Sequence, residues 1–136
     1  MTYFLGIDLG GSSVKAVAIT PSGQILRQEH FVFDAKQPMA WAAGVNDVIQ
    51  QFETALKHPA SGLGLSAPGI VARDGRSIAH MPGRLQGLEG LIWSDFLKRA
   101  DLVPVLNDAQ AALLGESSTG AARGFADVIL LTLGTG

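Results

Sequence analysis

Four short segments of this 136-residue chain contain the glycine, hydroxyl, amide and carboxylate groups that phosphate chemistry needs. The first, Asp8-Leu-Gly-Gly-Ser-Ser13, lies between two apolar runs. Glycine lets backbone N–H groups approach an anion, serine adds hydroxyl donors, and a carboxylate at a strand end can hold Mg²⁺ through water. A Gly-Gly pair is equally typical of a hairpin turn. The residues alone leave both interpretations open, a phosphate cradle and a plain turn.

The second segment, Asn107-Asp108-Ala-Gln110, follows the short apolar run Val103–Leu106. Asparagine or aspartate before a helix commonly caps its first turn. Open α/β sheets bind ligands at the carboxyl ends of their strands, and a carboxylate there can accept a proton from a substrate hydroxyl. Two hypotheses therefore stand for this segment: a helix cap, and a catalytic Asp108 beside a substrate-orienting Asn107.

The other two segments also follow apolar runs. Ser66-Ala-Pro-Gly69 comes directly after the run Gly62–Leu65, and its composition is typical of a turn that could shape a binding site. Gly134-Thr-Gly136 closes the chain and is similar to a second phosphate loop, with a frayed terminus as the alternative. The three histidines are dispersed and lack the spacing of a metal site.

Apolar periodicity predicts the elements that position these segments. Apolar residues recur at spacings of three, four and seven between Pro38 and Leu56, which predicts a helix there. Three successive strands predict an antiparallel meander, whereas strands separated by helices require crossovers and parallel pairing. The expected strands are 3–9, 14–20, 25–33, 62–65, 103–106 and 128–133, with a small hairpin at 70–79, and the expected helices are 38–56, 93–100 and 109–119.

Composition excludes several classes of protein. Hydrophobic residues make up 47% of the chain and charged residues 16%, which is too apolar for disorder and sufficient for one compact domain. A formal net charge of −2 argues against a nucleic-acid binder. The absence of cysteine excludes disulfides, thiolate zinc sites and cysteine nucleophiles. Neither a membrane span nor the basic start of a signal peptide is found, so we expect a cytoplasmic protein.

Taken together and in this order, the four segments resemble the amino-terminal half of sugar kinases of the ROK family (repressors, open reading frames and kinases), within the actin-like ATPase superfamily. The resemblance runs from the first strand to Leu131-Thr-Leu-Gly-Thr-Gly136 and includes Asn107-Asp-Ala-Gln-Ala-Ala-Leu-Leu-Gly-Glu116. It implies an α/β fold of the ribonuclease H-like type. We expect a mixed five-stranded sheet, an antiparallel meander joined to parallel strands, with helices on both faces.

The resemblance also implies ATP-dependent phosphorylation of a hexose or amino sugar, with Mg²⁺. Asp108 would be the base that takes the hydroxyl proton, and Asp8 would act on Mg²⁺ through water. The other implied site residues are Gly10, Gly11, Ser12, Ser13, Gly134, Thr135 and Gly136 for phosphate, and Ser66, Gly69 and Asn107 for the sugar.

One loop departs from the family pattern. The segment Met81–Gly87 resembles the sugar-contacting loop of the family, but Arg84 stands where that loop has an asparagine. An arginine there suits an anionic sugar, because a guanidinium forms paired hydrogen bonds with carboxylate or phosphate. The alternative is an ordinary exposed arginine.

The length of the chain shapes the remaining expectations. Kinases of the family have a carboxy-terminal lobe that supplies the adenosine pocket and a zinc site, and residues 1–136 match only the amino-terminal lobe. We therefore expect this lobe alone to be inactive and to associate, as a homodimer or otherwise, through apolar surface near 128–136. Two alternatives stay open: a non-catalytic sugar-binding or regulatory lobe, and another branch of the superfamily.

Overall fold

The computed structural model of the chain describes residues 1–133. They form a five-stranded sheet in the order β3-β2-β1-β4-β7 and a two-stranded sheet of β5 and β6. The strands are β1 (Phe4–Leu9), β2 (Ser13–Ile19), β3 (Ile25–Val32), β4 (Gly62–Ala67), β5 (Ile70–Val71), β6 (Ile78–His80) and β7 (Val105–Asn107). The helices are α1 (Ala40–Leu56), α2 (Trp93–Phe96) and α3 (Asp108–Thr119). None of these helices has the length and apolar character that crossing a bilayer demands.

The pairing of the large sheet confirms the mixed topology. Strands β1, β2 and β3 form the antiparallel meander, while β4 pairs in parallel with β1 and β7 pairs in parallel with β4. The helix α1 lies between β3 and β4 in sequence, so it provides the crossover that parallel pairing requires. The carboxyl ends of β1, β4 and β7 therefore meet at one edge of the sheet.

One face of the sheet packs on α1. Side chains alternate along a strand, so Leu5, Ile7 and Leu9 of β1 share that face and are buried. Helix α1 approaches closely at Gly44, where an added β-carbon would lie 3.2 Å from a ring carbon of Phe31. The fully buried large side chains of the chain include Trp41, Trp93, Tyr3, Phe52, Leu88, Val45 and Val48.

The opposite face of the sheet carries Gly6, Asp8, Gly64 and Ser66 and is covered less completely. Helix α3 starts at the carboxyl end of β7 and ends near the turn between β2 and β3, where Thr119 Cγ2 lies 3.9 Å from the β-carbon position of Gly23. Because α1 already occupies the first face, α3 must cross the second. Helices thus lie on both faces, as expected, although no residue of α3 is buried.

The segment between β4 and β7 extends the hydrophobic core and packs against the start of α1. The indole rings of Trp41 and Trp93 meet edge to face with centroids 5.8 Å apart, and Phe96 packs on Trp93 at 5.9 Å. Leu88 is fully buried beside them. Aromatic pairs of this kind add about 0.5–1.5 kcal/mol each beyond their buried area. This cluster anchors the loop that carries Arg84.

Two expected elements are corrected by the structure. The helix expected over 93–100 ends at Phe96, because Lys98 adopts the left-handed conformation with φ of 53° and breaks the helical repeat. The strand expected over 128–133 is irregular, and its residue Leu133 is 96% exposed. An apolar run becomes a strand only where a sheet edge offers hydrogen bonds, and none of the strands in residues 1–133 pairs with it.

Tyr3 connects the start of β1 to the end of α1. Its hydroxyl donates to the carbonyl oxygen of His58 at 2.9 Å, and its ring meets the His58 ring at 5.0 Å. Burial raises the pKa of the Tyr3 hydroxyl above its usual range, and the negative charge of Glu53 raises it further, while Arg99 acts in the opposite direction. The folded chain therefore holds this proton more tightly than the unfolded chain.

We predict that stability falls at alkaline pH because of this group. The unfolded phenol ionises near pH 10, so the stabilisation is complete below about pH 10 and is lost as the pH rises toward the higher folded value. Tyr3→Phe should cost about 0.5–1.5 kcal/mol at neutral pH through the lost hydrogen bond, and should flatten the alkaline decline. Urea unfolding of both proteins at pH 8 and above pH 10 measures this. Tyr3 is the one tyrosine in the chain, and an equally steep alkaline decline in the variant contradicts the assignment.

Candidate active site

Two polar side chains meet across β1 and β4 at the carboxyl edge of the sheet. The parallel register places Asp8 beside Ser66 and Ser66 beside Leu106. Ser66 Oγ donates a hydrogen bond to Asp8 Oδ1 at 2.6 Å. Ser66 is buried and Asp8 is half-buried, so the bond holds the carboxylate in one orientation at the rim of the sheet. Sequence analysis predicted functional roles for both residues but not the bond between them.

Asn107 is held from both ends of its amide. Its Nδ2 donates to the carbonyl oxygen of Gly69 at 2.8 Å, and its Oδ1 accepts from the backbone N–H of Ala109 at 2.9 Å. The backbone N–H of Asn107 donates in return to Gln110 Oε1 at 3.2 Å, which completes a capping box. The helix-cap hypothesis is therefore confirmed for Asn107. Among the described residues, the second Nδ2 hydrogen has no acceptor and is available to a ligand.

Asp108 is the first residue of α3 and is exposed. Its Oδ1 accepts from the backbone N–H of Ala109 at 2.9 Å, and within residues 1–133 its Oδ2 has no hydrogen-bond partner. Asp108 follows β7, which is two strands from β1, so its backbone lies on the order of 10 Å from that of Asp8 at the same edge of the sheet. The start of a helix also favours a negative charge. A substrate hydroxyl can therefore reach this carboxylate from solvent.

Gly69 joins the turn after β4 to the end of β6. Its φ is +107°, and an added β-carbon would lie 2.7 Å from the carbonyl oxygen of His80 and 2.9 Å from Met81 Cβ. Only glycine fits this close approach, because backbone atoms cannot give way as a flexible side chain can. The Gly69 carbonyl is the acceptor for Asn107, so the turn and the start of α3 form one unit.

The turn between β1 and β2 has the features of a phosphate cradle as well as those of a hairpin. The backbone N–H of Gly10 donates to Ser13 O at 2.8 Å, and Phe33 N–H donates to Ser12 O at 3.0 Å. Gly11 and Ser12 are exposed, and within the described chain their own N–H groups make no hydrogen bond. Successive free N–H groups at an exposed tip are what an anion-binding turn needs.

Arg84 lies in a different part of the fold but extends toward this turn. The loop it belongs to lines an open hollow of about 490 Å³, a volume within the range of small-molecule sites. None of Asp8, Asn107 and Asp108 lines this hollow. Arg84 Nη1 nevertheless lies 3.8 Å from the β-carbon position of Gly11. The predicted residues therefore form two groups, one along the sheet edge and one in the loop, and Arg84 extends from the loop toward Gly11.

The sheet edge suits a single magnesium ion held through water. Mg²⁺ is usually bound in proteins through one or two carboxylates, with water and substrate phosphates as its other ligands. Asp8 supplies one oriented carboxylate, whose second oxygen has no hydrogen bond from the described residues. No group of three or more histidine, aspartate or glutamate side chains gathers anywhere in residues 1–133. The donor set thus fits Mg²⁺ better than a transition metal enclosed by protein ligands.

The second predicted phosphate loop lies outside the described residues. Gly134, Thr135 and Gly136 follow the last residue that the structure describes. Their predicted contact with phosphate stays a prediction.

Sequence comparison identifies the family. The profile of the ROK family matches residues 4–136. The chain belongs to the ROK family. A glucokinase of Halalkalibacterium halodurans is 29% identical over 98% of this chain, and the xylose repressor of Bacillus spizizenii is 25% identical over 98%. The chain spans 42% of that glucokinase and 35% of that repressor.

Structure comparison agrees with this membership. The inorganic polyphosphate/ATP-glucomannokinase of Arthrobacter sp. strain KM superposes with a TM-score of 0.75 at 25% identity, over 92% of this chain and 51% of that one. The fold of the ROK chain is therefore that of the actin-like ATPase kinases. The family includes both sugar kinases and a repressor, so membership alone leaves the activity of this chain to be tested.

Sequence analysis missed one residue in the loop that carries Arg84. Glu89 lines the hollow together with Arg84, and its Oε1 accepts from the backbone N–H of Met81 at 2.6 Å. The same oxygen lies 3.8 Å from His80 Nδ1. The local sequence Gly87-Leu-Glu-Gly90 gives no signal for this role, because the bond joins Glu89 to a residue eight positions away.

Proposed function

We propose that the protein carrying this ROK chain transfers the terminal phosphoryl group of ATP to a hydroxyl of a hexose or amino sugar. The observation that supports this most is the convergence at one sheet edge of the bonded pair Asp8–Ser66, the exposed Asp108 and the free N–H groups of the β1–β2 turn. Phosphoryl transfer needs mainly positioning and charge stabilisation, with one carboxylate to orient the attacking hydroxyl. The relatives that are sugar kinases support the same class of reaction. ATP is the proposed phosphoryl donor and is a cytoplasmic metabolite. We therefore also propose that this activity takes place in the cytoplasm.

Asp108 is the proposed general base. The sugar oxygen forms a bond to the terminal phosphorus, the bond from that phosphorus to the bridging oxygen breaks, and ADP leaves. The hydroxyl proton goes to the Asp108 carboxylate. The hydrogen bond from Ala109 holds one carboxylate oxygen in place, so the other is left to accept the proton.

The acceptor side of the site is proposed to consist of Ser66, Gly69 and Asn107, with Arg84 at its border with the glycine turn. Asn107 still has one amide hydrogen to offer a sugar oxygen, and its orientation is fixed by two hydrogen bonds. Such a preset donor costs little conformational entropy on binding. Ser66 acts on the same edge by fixing the carboxylate of Asp8.

The phosphate side is proposed to consist of Gly10, Gly11, Ser12 and Ser13, with Gly134, Thr135 and Gly136 as a second contact. Asp8 would hold Mg²⁺ through water, and the ion would supply positive charge to the phosphate oxygens. The turn provides backbone N–H donors at Gly11 and Ser12. These donors are neutral, so they add directed hydrogen bonds without adding charge.

A sugar panel tests the proposed function. The protein carrying this chain is incubated with Mg-ATP and with each of several neutral hexoses, N-acetylated amino sugars and acidic sugars, and the sugar phosphate is measured directly. We expect product with at least one sugar and ADP formation that depends on that sugar. ADP formation that is independent of every sugar, or no product at all, contradicts the proposal.

A regulatory lobe that binds sugar without catalysis is the second candidate. It is favoured by the similarity to the xylose repressor. Calorimetric titration separates the two candidates, because a kinase binds both a sugar and Mg-ATP, whereas a sensor of this kind binds the sugar alone.

The tail of the chain is proposed to be an association surface, covered by a second copy or by the rest of a longer protein. Phe125, Ile129, Leu131 and Leu133 are 71%, 89%, 82% and 96% exposed. Four large exposed apolar side chains within one short segment indicate a contact site. We predict that the 136-residue chain, of 14.2 kDa, shows a mass above that of the monomer in light scattering, rising with concentration. Ile129→Asp with Leu131→Asp should restore the monomer, and a monodisperse unsubstituted monomer at high concentration contradicts the prediction.

A further inference from the structure

Arg84 is presented by a loop that is fixed on both sides. Before it, the backbone N–H of Met81 donates to Glu89 Oε1 at 2.6 Å. After it, the indole N–H of Trp41 donates to the carbonyl oxygen of Gln86 at 3.0 Å. Its neighbours Gly83 and Leu85 both adopt positive φ, of 77° and 48°. The backbone around Arg84 is therefore set by the fold, although the side chain itself is exposed.

Within residues 1–133 the Arg84 guanidinium forms no ion pair and no hydrogen bond. The arginines that form ion pairs within residues 1–133 are Arg27, with Glu29, and Arg99, with Glu53, and no carboxylate in that range contacts Arg84. Nor does Arg84 donate to any side-chain or backbone oxygen of the described chain at hydrogen-bond distance. An arginine held in place by its backbone and left without an anion has its five donors available for a ligand.

The position of the Arg84 guanidinium indicates which kind of ligand it would bind. Arg84 Nη1 lies 3.8 Å from the β-carbon position of Gly11, at the tip of the turn whose free N–H groups suit phosphate. Arg84 and the rest of its loop also line the hollow of about 490 Å³. The guanidinium thus lies beside the turn, within reach of a phosphate group bound there.

We propose that Arg84 is a catalytic residue that contacts the phosphoryl group during its transfer. This inference rests on the proposed phosphoryl transfer and adds to it the positive charge that the neutral turn lacks. The guanidinium forms hydrogen bonds to the equatorial phosphoryl oxygens while the bond to the acceptor oxygen forms and the bond to the leaving ADP oxygen breaks. Arg84 takes no proton in this step, because a guanidinium stays charged in proteins.

Arg84→Gln and Arg84→Lys test the proposal in the protein carrying this chain. Loss of one preorganised donor to developing charge lowers kcat by about 10²- to 10³-fold, so we expect that decrease in Arg84→Gln with little change in the KM for the sugar. Arg84→Lys keeps the charge but loses the paired donors. Its kcat should therefore lie between that of the unsubstituted protein and that of Arg84→Gln. Arg73→Gln is the matched control, because Arg73 is also exposed, lies on the turn between β5 and β6 and is not one of the proposed sugar or phosphate residues.

A binding measurement gives a readout independent of turnover. The complex of Mg-ADP with aluminium fluoride imitates the phosphoryl group in transfer, and calorimetry in the presence of the sugar measures its affinity. Arg84→Gln should weaken this complex by about the same factor as kcat and leave the affinity for ADP unchanged. An unchanged kcat, or a raised KM for an acidic sugar with kcat retained, overturns the inference while the kinase remains. If the unsubstituted protein phosphorylates no sugar, the proposed function itself fails and the inference with it.

Discussion

Asp108→Asn is expected to lower the kcat for sugar phosphorylation by about 10²- to 10⁴-fold, the usual contribution of a positioned general base. The replacement keeps the side-chain oxygen that accepts from Ala109 N–H, so α3 should begin at the same residue. The change removes the group that takes the hydroxyl proton and little else. Steady-state kinetics with saturating Mg-ATP and a sugar from the panel measure it, and the KM for the sugar should change far less than kcat.

Asp101→Asn is the matched control for this experiment. Asp101 is exposed in the segment before β7, and its replacement removes the same single negative charge a few residues from Asp108. We expect full turnover and an unchanged unfolding midpoint. Turnover in Asp108→Asn equal to that of the control removes Asp108 from the role of base, and a loss of equal size in both variants indicates a long-range effect of charge.

The local features of the site could be predicted from the sequence. A hairpin turn at Gly10 and Gly11 follows from composition, because glycine between two apolar runs accepts the backbone angles of a tight turn. The cap at Asn107 follows in the same way, since asparagine before a helix competes well for the first free N–H groups. Both features depend on residues within a few positions of each other.

The connections between distant segments could not be predicted. The hydrogen bond from Ser66 to Asp8 joins residues 58 positions apart, and the bond from Asn107 to Gly69 joins residues 38 apart. Each depends on strand register, which is set by the packing of the whole sheet on α1 rather than by neighbouring residues. For the same reason the run 128–133 was predicted as a strand from its apolar residues, although pairing depends on an edge that the sequence does not reveal.

Gly69→Ala is expected to destabilise the protein by roughly 2–5 kcal/mol, the sum of backbone strain and a collision that the surroundings cannot relieve. The native φ of +107° is unfavourable for alanine, and the new methyl group would lie 2.7 Å from His80 O and 2.8 Å from Ile78 Cγ2. If the turn shifts to make room, the carbonyl of Gly69 moves away from Asn107 Nδ2. We therefore expect weaker sugar binding even in the fraction of molecules that fold.

Gly75→Ala separates the effect of backbone strain from that of the steric collision. Gly75 also has a positive φ, of +68°, but nothing lies within 4 Å of its β-carbon position. Alanine there incurs strain alone, about 1–2 kcal/mol. It should leave sugar binding intact, because the Gly75 carbonyl accepts from Val105 N–H at the start of β7 and makes no bond to Asn107. Urea unfolding of both variants in the protein carrying this chain, with sugar titration by calorimetry, gives the comparison. Equal destabilisation of the two variants would mean that the turn after β4 yields to a methyl group, and the rigid connection from Gly69 through Asn107 to the start of α3 would then no longer explain how Asp108 is positioned.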